Sequence, residues 1–268
     1  MVRRFWWLLI PVLAYCLLVL VVALMQRSLM YHPPHLTAAE LRPFAERNHL
    51  QPWTNEAGLR IGWYRAAPRV PAEATVLIVH GNSGSAAGRE YIFDPLQAAI
   101  NADIFVLEYP GFADRPGAPS QQTILAAAGD AFRLLASRGR IVLVGESLGT
   151  GVASYLAARA PQQVAGVVLL VPYDNTVNAA QSRFPWLPAG LLIKDRFLSD
   201  EWLPQFRGAV VFAVAEKDEV LPAALGKRLY DLYPGPKRLV LCPGAGHMDG
   251  AVRPKEFWRD AWGFIRAS

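Results

Sequence analysis

Residues 141–160 read IVLVGESLGTGVASYLAARA. Ile141 to Val144 is a short run of β-branched and aliphatic residues, the composition of a strand buried on both faces. Leu148 to Ala160 then reads as a helix. Between them Gly145-Glu146-Ser147-Leu148-Gly149 fits G-x-S-x-G, a sharp strand-to-helix turn that lifts a serine hydroxyl above a sheet edge. The glycines two positions to either side of Ser147 give the backbone room for that turn.

Working outward, short apolar runs alternate with longer periodic ones. Strands are expected at Leu59 to Tyr64, Thr75 to His80, Ile104 to Tyr109, Ile141 to Gly145, Gly166 to Val171, Ala209 to Ala215 and Arg238 to Cys242. Helices are expected from Ile124 to Leu135 behind a Ser120 cap, over Leu148 to Ala160 and Pro222 to Tyr233, and over Pro254 to Arg266. This alternation predicts an α/β fold with a mostly parallel central sheet flanked by helices. The segment 173–204 breaks the rhythm with Pro185, Pro188 and Pro204 among Phe184, Trp186, Leu187, Leu191, Phe197 and Trp202. It reads as a small cap inserted over the sheet; its apolar residues either line an acyl pocket or pack the cap, with packing expected for most.

The 268 residues suit one core plus a short appendage, and the 53% hydrophobic content is concentrated at the N-terminus. Phe5 to Met25, FWWLLIPVLAYCLLVLVVALM, carries no charge. At 1.5 Å per residue it is long enough to cross a hydrocarbon layer of about 30 Å. The expected organisation is an N-terminal transmembrane anchor over 1–27, a proline-bearing connector over 28–55 with a short helix starting at Thr37, and a catalytic domain over 56–268. A signal peptide cleaved after Val21-Val22-Ala23, leaving a chain that starts near Leu24, is the alternative; the apolar run exceeds the usual h-region. Arg3, Arg4 and the terminal amine before the span, against Arg27 and Arg42 after it, give a slight bias to an N-in topology. In a bacterium that puts the catalytic domain on the periplasmic side of the inner membrane.

Cys16 lies in the apolar run and Cys242 after a strand, so no bridge joins them and cysteine usage leaves the compartment open. The net charge of +5 comes from scattered Lys and Arg, which fits affinity for an anionic membrane surface better than nucleic-acid binding. His32 and His35 flank a Pro-Pro pair without a third ligand, so no metal site is expected there. There is no phosphate-binding Gly-rich fingerprint and no internal repeat.

A serine hydroxyl is a weak nucleophile until a base takes its proton, and an oriented imidazole is the usual base. His247, in Gly246-His247-Met248-Asp249 after the last strand, is expected on a loop that reaches the elbow. A carboxylate between serine and histidine in chain order fixes the imidazole tautomer. Asp218, just past the strand Ala209 to Ala215, fits best, and Asp174, after the strand ending at Val171, is its rival. Asp249 is too near His247 in sequence to orient it and is expected to brace the loop. Acyl transfer also needs donors for a developing oxyanion. His80-Gly81-Asn82-Ser83-Gly84 follows a strand where such a loop belongs, so the backbone N–H groups of Asn82 and Leu148 are the expected oxyanion hole, with His80 holding the loop by hydrogen bonds.

With these residues in hand, the sequence resembles the α/β-hydrolase superfamily, especially its membrane-anchored bacterial branch related to bacterial esterases and eukaryotic protein depalmitoylases. The matching stretches are His80-Gly81-Asn82, EYPGFADRPG over 108–117, the elbow at 145–149, DEVLP over 218–222 and Gly246-His247-Met248-Asp249. The chain departs from such relatives in Glu108-Tyr109-Pro110-Gly111-Phe112-Ala113 and in lacking a glycine before Asp218. The resemblance implies a serine hydrolase of carboxylic esters or thioesters that needs no cofactor. Its expected partners are an acyl substrate, lipid-derived ones included, and the membrane, with no nucleic acid. A serine peptidase on the same triad, or a non-catalytic membrane protein using the fold as a binding scaffold, are the competing readings.

Overall fold

The computed structural model describes residues 6–268. Eight strands form one sheet: β1 (Gln51–Thr54), β2 (Arg60–Arg65), β3 (Ala74–Val79), β4 (Ala102–Leu107), β5 (Ile141–Glu146), β6 (Val164–Leu170), β7 (Ala209–Ala215) and β8 (Lys237–Cys242). Their order is β1-β2-β4-β3-β5-β6-β7-β8. From β3 to β8 all pairings are parallel, whereas β2 runs antiparallel to β1 and β4. The helices are α1 (Trp6–Met30), α2 (Ala38–Arg47), α3 (Glu90–Ala99), α4 (Gln121–Leu134), α5 (Leu148–Arg159), α6 (Thr176–Arg183), α7 (Ala189–Leu192), α8 (Ser199–Trp202), α9 (Ala223–Leu232), α10 (His247–Ala251) and α11 (Lys255–Ala267).

Successive strand residues point to opposite faces, and here both faces are covered. Leu77, Val79, Ile141 and Leu143 pack with α4, α5 and α9. Val76, Ile78, Val142 and Val144 pack with α2, α3 and α11. That two-sided burial is why the strands read as unbroken Val, Ile and Leu. Each fully buried aliphatic side chain contributes about 1.5–3 kcal/mol to the core. Helix α4 starts where expected: Ser120 Oγ accepts from the Thr123 N–H at 3.1 Å, and Thr123 Oγ1 accepts from the Ser120 N–H at 3.0 Å.

The chain goes from β3 outward to β4 on one side, then crosses back to β5 on the other. A crevice therefore opens at the carboxyl ends of β3 and β5, the place where α/β sheets hold their sites.

Three features differ from the sequence reading. The connector expected over 28–55 carries the short helix expected at Thr37 but is also part of the core: Leu41 and Ala45 of α2 are buried in it, and β1 joins the sheet. Helix α1 does not stop at residue 27 but continues to Met30. Helix α3, which was not anticipated, covers the sheet beside α11. Between Leu9 and Met30, α1 is long and apolar enough to cross a membrane, and it is the one such helix among the described residues. Phe5, with Arg3 and Arg4 on which the topology expectation rests, lies outside the described residues.

The cap lies between β6 and β7 and holds α6, α7 and α8. Phe197 and Leu203 are buried packing residues, Leu187 is buried but borders the cavity beside Ser147, and Trp186 and Leu191 are 48% and 87% exposed.

Candidate active site

Ser147 sits between β5 and α5 with φ 50° and ψ −116°, a left-handed backbone that a non-glycine residue adopts at a cost of about 1–3 kcal/mol. Its N–H donates to the Leu170 carbonyl at 2.9 Å, and its own carbonyl accepts from the Thr150 N–H at 2.9 Å and hydroxyl at 2.7 Å. The glycine spacing is explained by close approach. A Cβ on Gly145 would lie 2.6 Å from the Gly149 carbonyl oxygen, and one on Gly149 would lie 2.0 Å from that of Val79. Without side chains there, the start of α5 presses onto the end of β3.

His247 Nε2 lies 2.9 Å from Ser147 Oγ, and His247 Nδ1 lies 2.7 Å from Asp218 Oδ2. The second Asp218 oxygen accepts two backbone N–H groups, from Val220 at 2.9 Å and Leu221 at 2.6 Å. Three residues separated by up to 100 positions thus form one chain of hydrogen bonds along the carboxyl ends of β5, β7 and β8. His247 is the first residue of the short helix α10 rather than a loop residue.

Asp174 is elsewhere. Its carboxylate accepts the Asn175 N–H and the Asn178 side-chain amide, each at 2.7 Å, and lies 3.5 Å from Arg228. Burial pushes its carboxyl up from the ordinary range, against the pull of those donors. Asp249 is exposed and its carboxylate makes no hydrogen bond among the described residues, so it is not the brace expected. That work falls to two glutamates: Glu219 accepts the His247 N–H at 3.1 Å, and Glu216 accepts the Gly244 N–H at 3.0 Å.

Asn82 and Leu148 both border the cavity beside Ser147, and a Cβ on Gly81 would lie 3.5 Å from that of Ser147. Neither the Asn82 nor the Leu148 N–H donates to another group among the described residues, so both are free for a ligand oxygen. His80 is fully buried, its Nδ1 2.8 Å from the Gly81 carbonyl and its Nε2 3.3 Å from Glu108. Tyr109 donates to the His80 carbonyl at 2.7 Å.

Sequence reasoning missed what stands behind this loop. Glu146, inside the G-x-S-x-G motif, is buried and lies 3.1 Å from Arg89 Nε. It also accepts the Tyr91 hydroxyl at 2.5 Å and the Gly81 N–H at 3.3 Å. Burial, with Glu146 adjacent, pushes the Tyr91 hydroxyl far up, keeping it a donor. The available signal was a carboxylate closing an apolar strand, which must find a buried partner.

A cavity of about 230 Å³ opens next to Ser147. The cap supplies Ala180, Phe184 and Leu187 to its wall, and α1 supplies Val22 and Met30. Among the described residues no cluster of His, Cys, Asp and Glu has the arrangement to hold a metal ion.

A strand–elbow–helix carrying Ser147, with a histidine and an acid delivered by later strand ends, defines an α/β protein built like the hydrolases. The chain belongs to the α/β-hydrolase fold family, whose model matches residues 74–200. It is similar to an uncharacterized protein of Mycobacterium tuberculosis, 30% identical over 84% of this chain and 81% of the relative. It is also similar to the lysophosphatidylserine lipase ABHD12 of Danio rerio, 27% identical over 70% of this chain and 54% of that one. Among solved structures, an esterase from Pyrococcus furiosus shares the fold with a TM-score of 0.62 at 15% identity, covering 89% of this chain and 98% of the esterase.

Proposed function

We propose that the protein is a serine hydrolase that cleaves carboxylic esters or thioesters through an acyl-enzyme. The observation that carries this reading is the continuous Ser147–His247–Asp218 hydrogen-bond chain, at 2.9 and 2.7 Å. Ser147 Oγ attacks the acyl carbonyl while His247 Nε2 takes its proton. The Asn82 and Leu148 N–H groups receive the developing oxyanion. The tetrahedral intermediate collapses as His247 returns the proton to the departing alcohol or thiol, leaving the acyl group on Ser147. Water, deprotonated by His247, then attacks the acyl-enzyme, and Ser147 leaves with that proton. Asp218 holds the imidazole with its proton on Nδ1 and stabilises the imidazolium. No metal or organic cofactor enters any step.

The names of relatives support an acyl ester over a peptide, as does a cavity whose wall includes Val22, Phe184 and Leu187. We place α1 as a membrane anchor, with the N-terminus inside and the catalytic domain on the periplasmic side of a bacterial inner membrane. The test is labelling with a fluorophosphonate, which reacts only with an activated serine. Wild type labels and hydrolyses p-nitrophenyl butyrate. Ser147→Ala does neither while melting at the wild-type temperature; retained turnover in that variant refutes the nucleophile.

A further inference from the structure

Helix α1 does more than lead into the catalytic domain: one of its faces is partly covered, and it is hydrogen-bonded to the cap. Val19, Val22, Ala23, Gln26 and Met30 are partly buried, at helical spacing, whereas Leu13, Leu17 and Leu24 on other faces are 65%, 62% and 75% exposed. Hydrogen bonds run the length of the contact. Tyr15 donates its hydroxyl to the Trp186 carbonyl at 2.9 Å, and Gln26 accepts the Lys194 N–H at 2.8 Å. Arg27 meets both oxygens of nearly buried Asp195 at 3.0 and 3.2 Å, and Tyr31 donates to the same carboxylate at 3.0 Å.

From Tyr15 to Arg27 this contact covers about 18 Å of α1 at 1.5 Å per residue. The stretch of α1 that is long and apolar enough to cross a membrane, Leu9–Met30, is only about 33 Å long on the same rise. A hydrocarbon layer of about 30 Å needs about 20 apolar residues. If α1 crosses it, the level of Tyr15 lies inside the layer, and so does the cap segment bonded to Tyr15. That segment carries the surface such a location demands: Phe184, Trp186 and Leu191 are 44%, 48% and 87% exposed. The cavity beside Ser147 lies in the same seam, with Val22, Leu29 and Met30 on one wall and Phe184, Leu187 and Ile193 on the other.

We propose that the protein takes its substrate sideways from the bilayer: the tip of the cap is immersed beside α1, and a long acyl chain of a membrane-resident ester or thioester enters between them to reach Ser147. The anchor helix is then one wall of the acyl groove. The groove rests on the serine-hydrolase reading, so its test needs readouts that separate the two.

Full-length protein is reconstituted in phosphatidylcholine vesicles. Turnover of p-nitrophenyl palmitate is compared with that of p-nitrophenyl acetate, with fluorophosphonate labelling alongside. Val22→Trp fills the groove and is expected to lower the palmitate-to-acetate ratio of kcat/KM at least tenfold. Leu24→Trp, on the outer face of α1, keeps the wild-type ratio. An unchanged ratio in Val22→Trp, with labelling intact, overturns the groove. Failure of the wild type to label overturns the serine-hydrolase reading instead. Immersion is read without catalysis from the fluorescence lost in Trp186→Phe. In vesicles of lipids brominated along their acyl chains, that Trp186 component is expected to be quenched at least twofold, and an unquenched component overturns the proposal.

Discussion

Asp218→Asn is the substitution whose consequence the geometry specifies most closely. One Asp218 oxygen accepts two backbone N–H groups, from Val220 and Leu221, and the other faces His247 Nδ1 at 2.7 Å. An asparagine has one acceptor oxygen, and two fixed donors claim it. Its amide nitrogen must then face His247 Nδ1, which can meet it only as an acceptor. The imidazole proton moves to Nε2, and the nitrogen 2.9 Å from Ser147 Oγ is no longer a base. A reversed tautomer of this kind costs about ten-thousandfold in kcat, or about 5.5 kcal/mol of transition-state stabilisation. Folding changes little, because the two backbone donors keep their acceptor; a loss of about 1 kcal/mol lowers Tm by about 2–4 °C. The assay is kcat for p-nitrophenyl butyrate beside a thermal melt. Asp174→Asn is the matched control, expected to lose less than tenfold in rate since its carboxylate serves Asn175 and Asn178. A loss below tenfold in folded Asp218→Asn, or a larger loss at Asp174 than at Asp218, refutes the reasoning.

Glu146→Ala leaves Arg89 buried without its carboxylate, which costs about 3–5 kcal/mol and lowers Tm by roughly 6–20 °C; an unchanged melt contradicts the bracing role. Gly149→Ala sets a Cβ 2.0 Å from the Val79 carbonyl oxygen, a backbone atom with nowhere to go. It should accumulate as insoluble protein that does not label with fluorophosphonate, and wild-type yield and labelling would rule this out. Helix α1 should keep the protein in the membrane fraction through an alkaline carbonate wash. Release of a shortened chain beginning near Leu24 would instead support a cleaved signal peptide.

What was legible in the sequence follows physical rules, and so does what was not. Strands β3 to β7 were readable because two-sided burial leaves Val, Ile and Leu in unbroken runs. β1 was invisible: its four residues lie at the sheet edge, include Pro52 and bury only Trp53. α3 was obscured by Pro95 and by charged Glu90 and Asp94. Ser147, Asp218 and His247 could be proposed together because chain order and strand-end position constrain all three. The supports behind them could not, since Glu146 meets Arg89 and Tyr91 only after β5 and α3 have packed. The contact face of α1 was hidden for a different reason: in a helix apolar on every side, spacing does not tell the residues that touch protein from those that touch lipid.

That hidden face changes where the catalytic unit begins. Ser147 is held in a strained turn, and the loop facing it leans on α1. Asn82 donates its side-chain amide to the Met30 carbonyl at 2.7 Å and accepts the His32 N–H on its backbone oxygen at 2.9 Å. The same last turns of α1 supply Arg27, and Tyr31 follows directly, as partners for Asp195 in the cap, where burial and that carboxylate push the Tyr31 hydroxyl far up and keep it protonated as a donor. A chain cut at residue 28 would lose the Arg27 partner of Asp195 and the Val22 wall of the cavity in one step. The unit that builds the cavity beside Ser147 therefore extends into α1, at least to Val22.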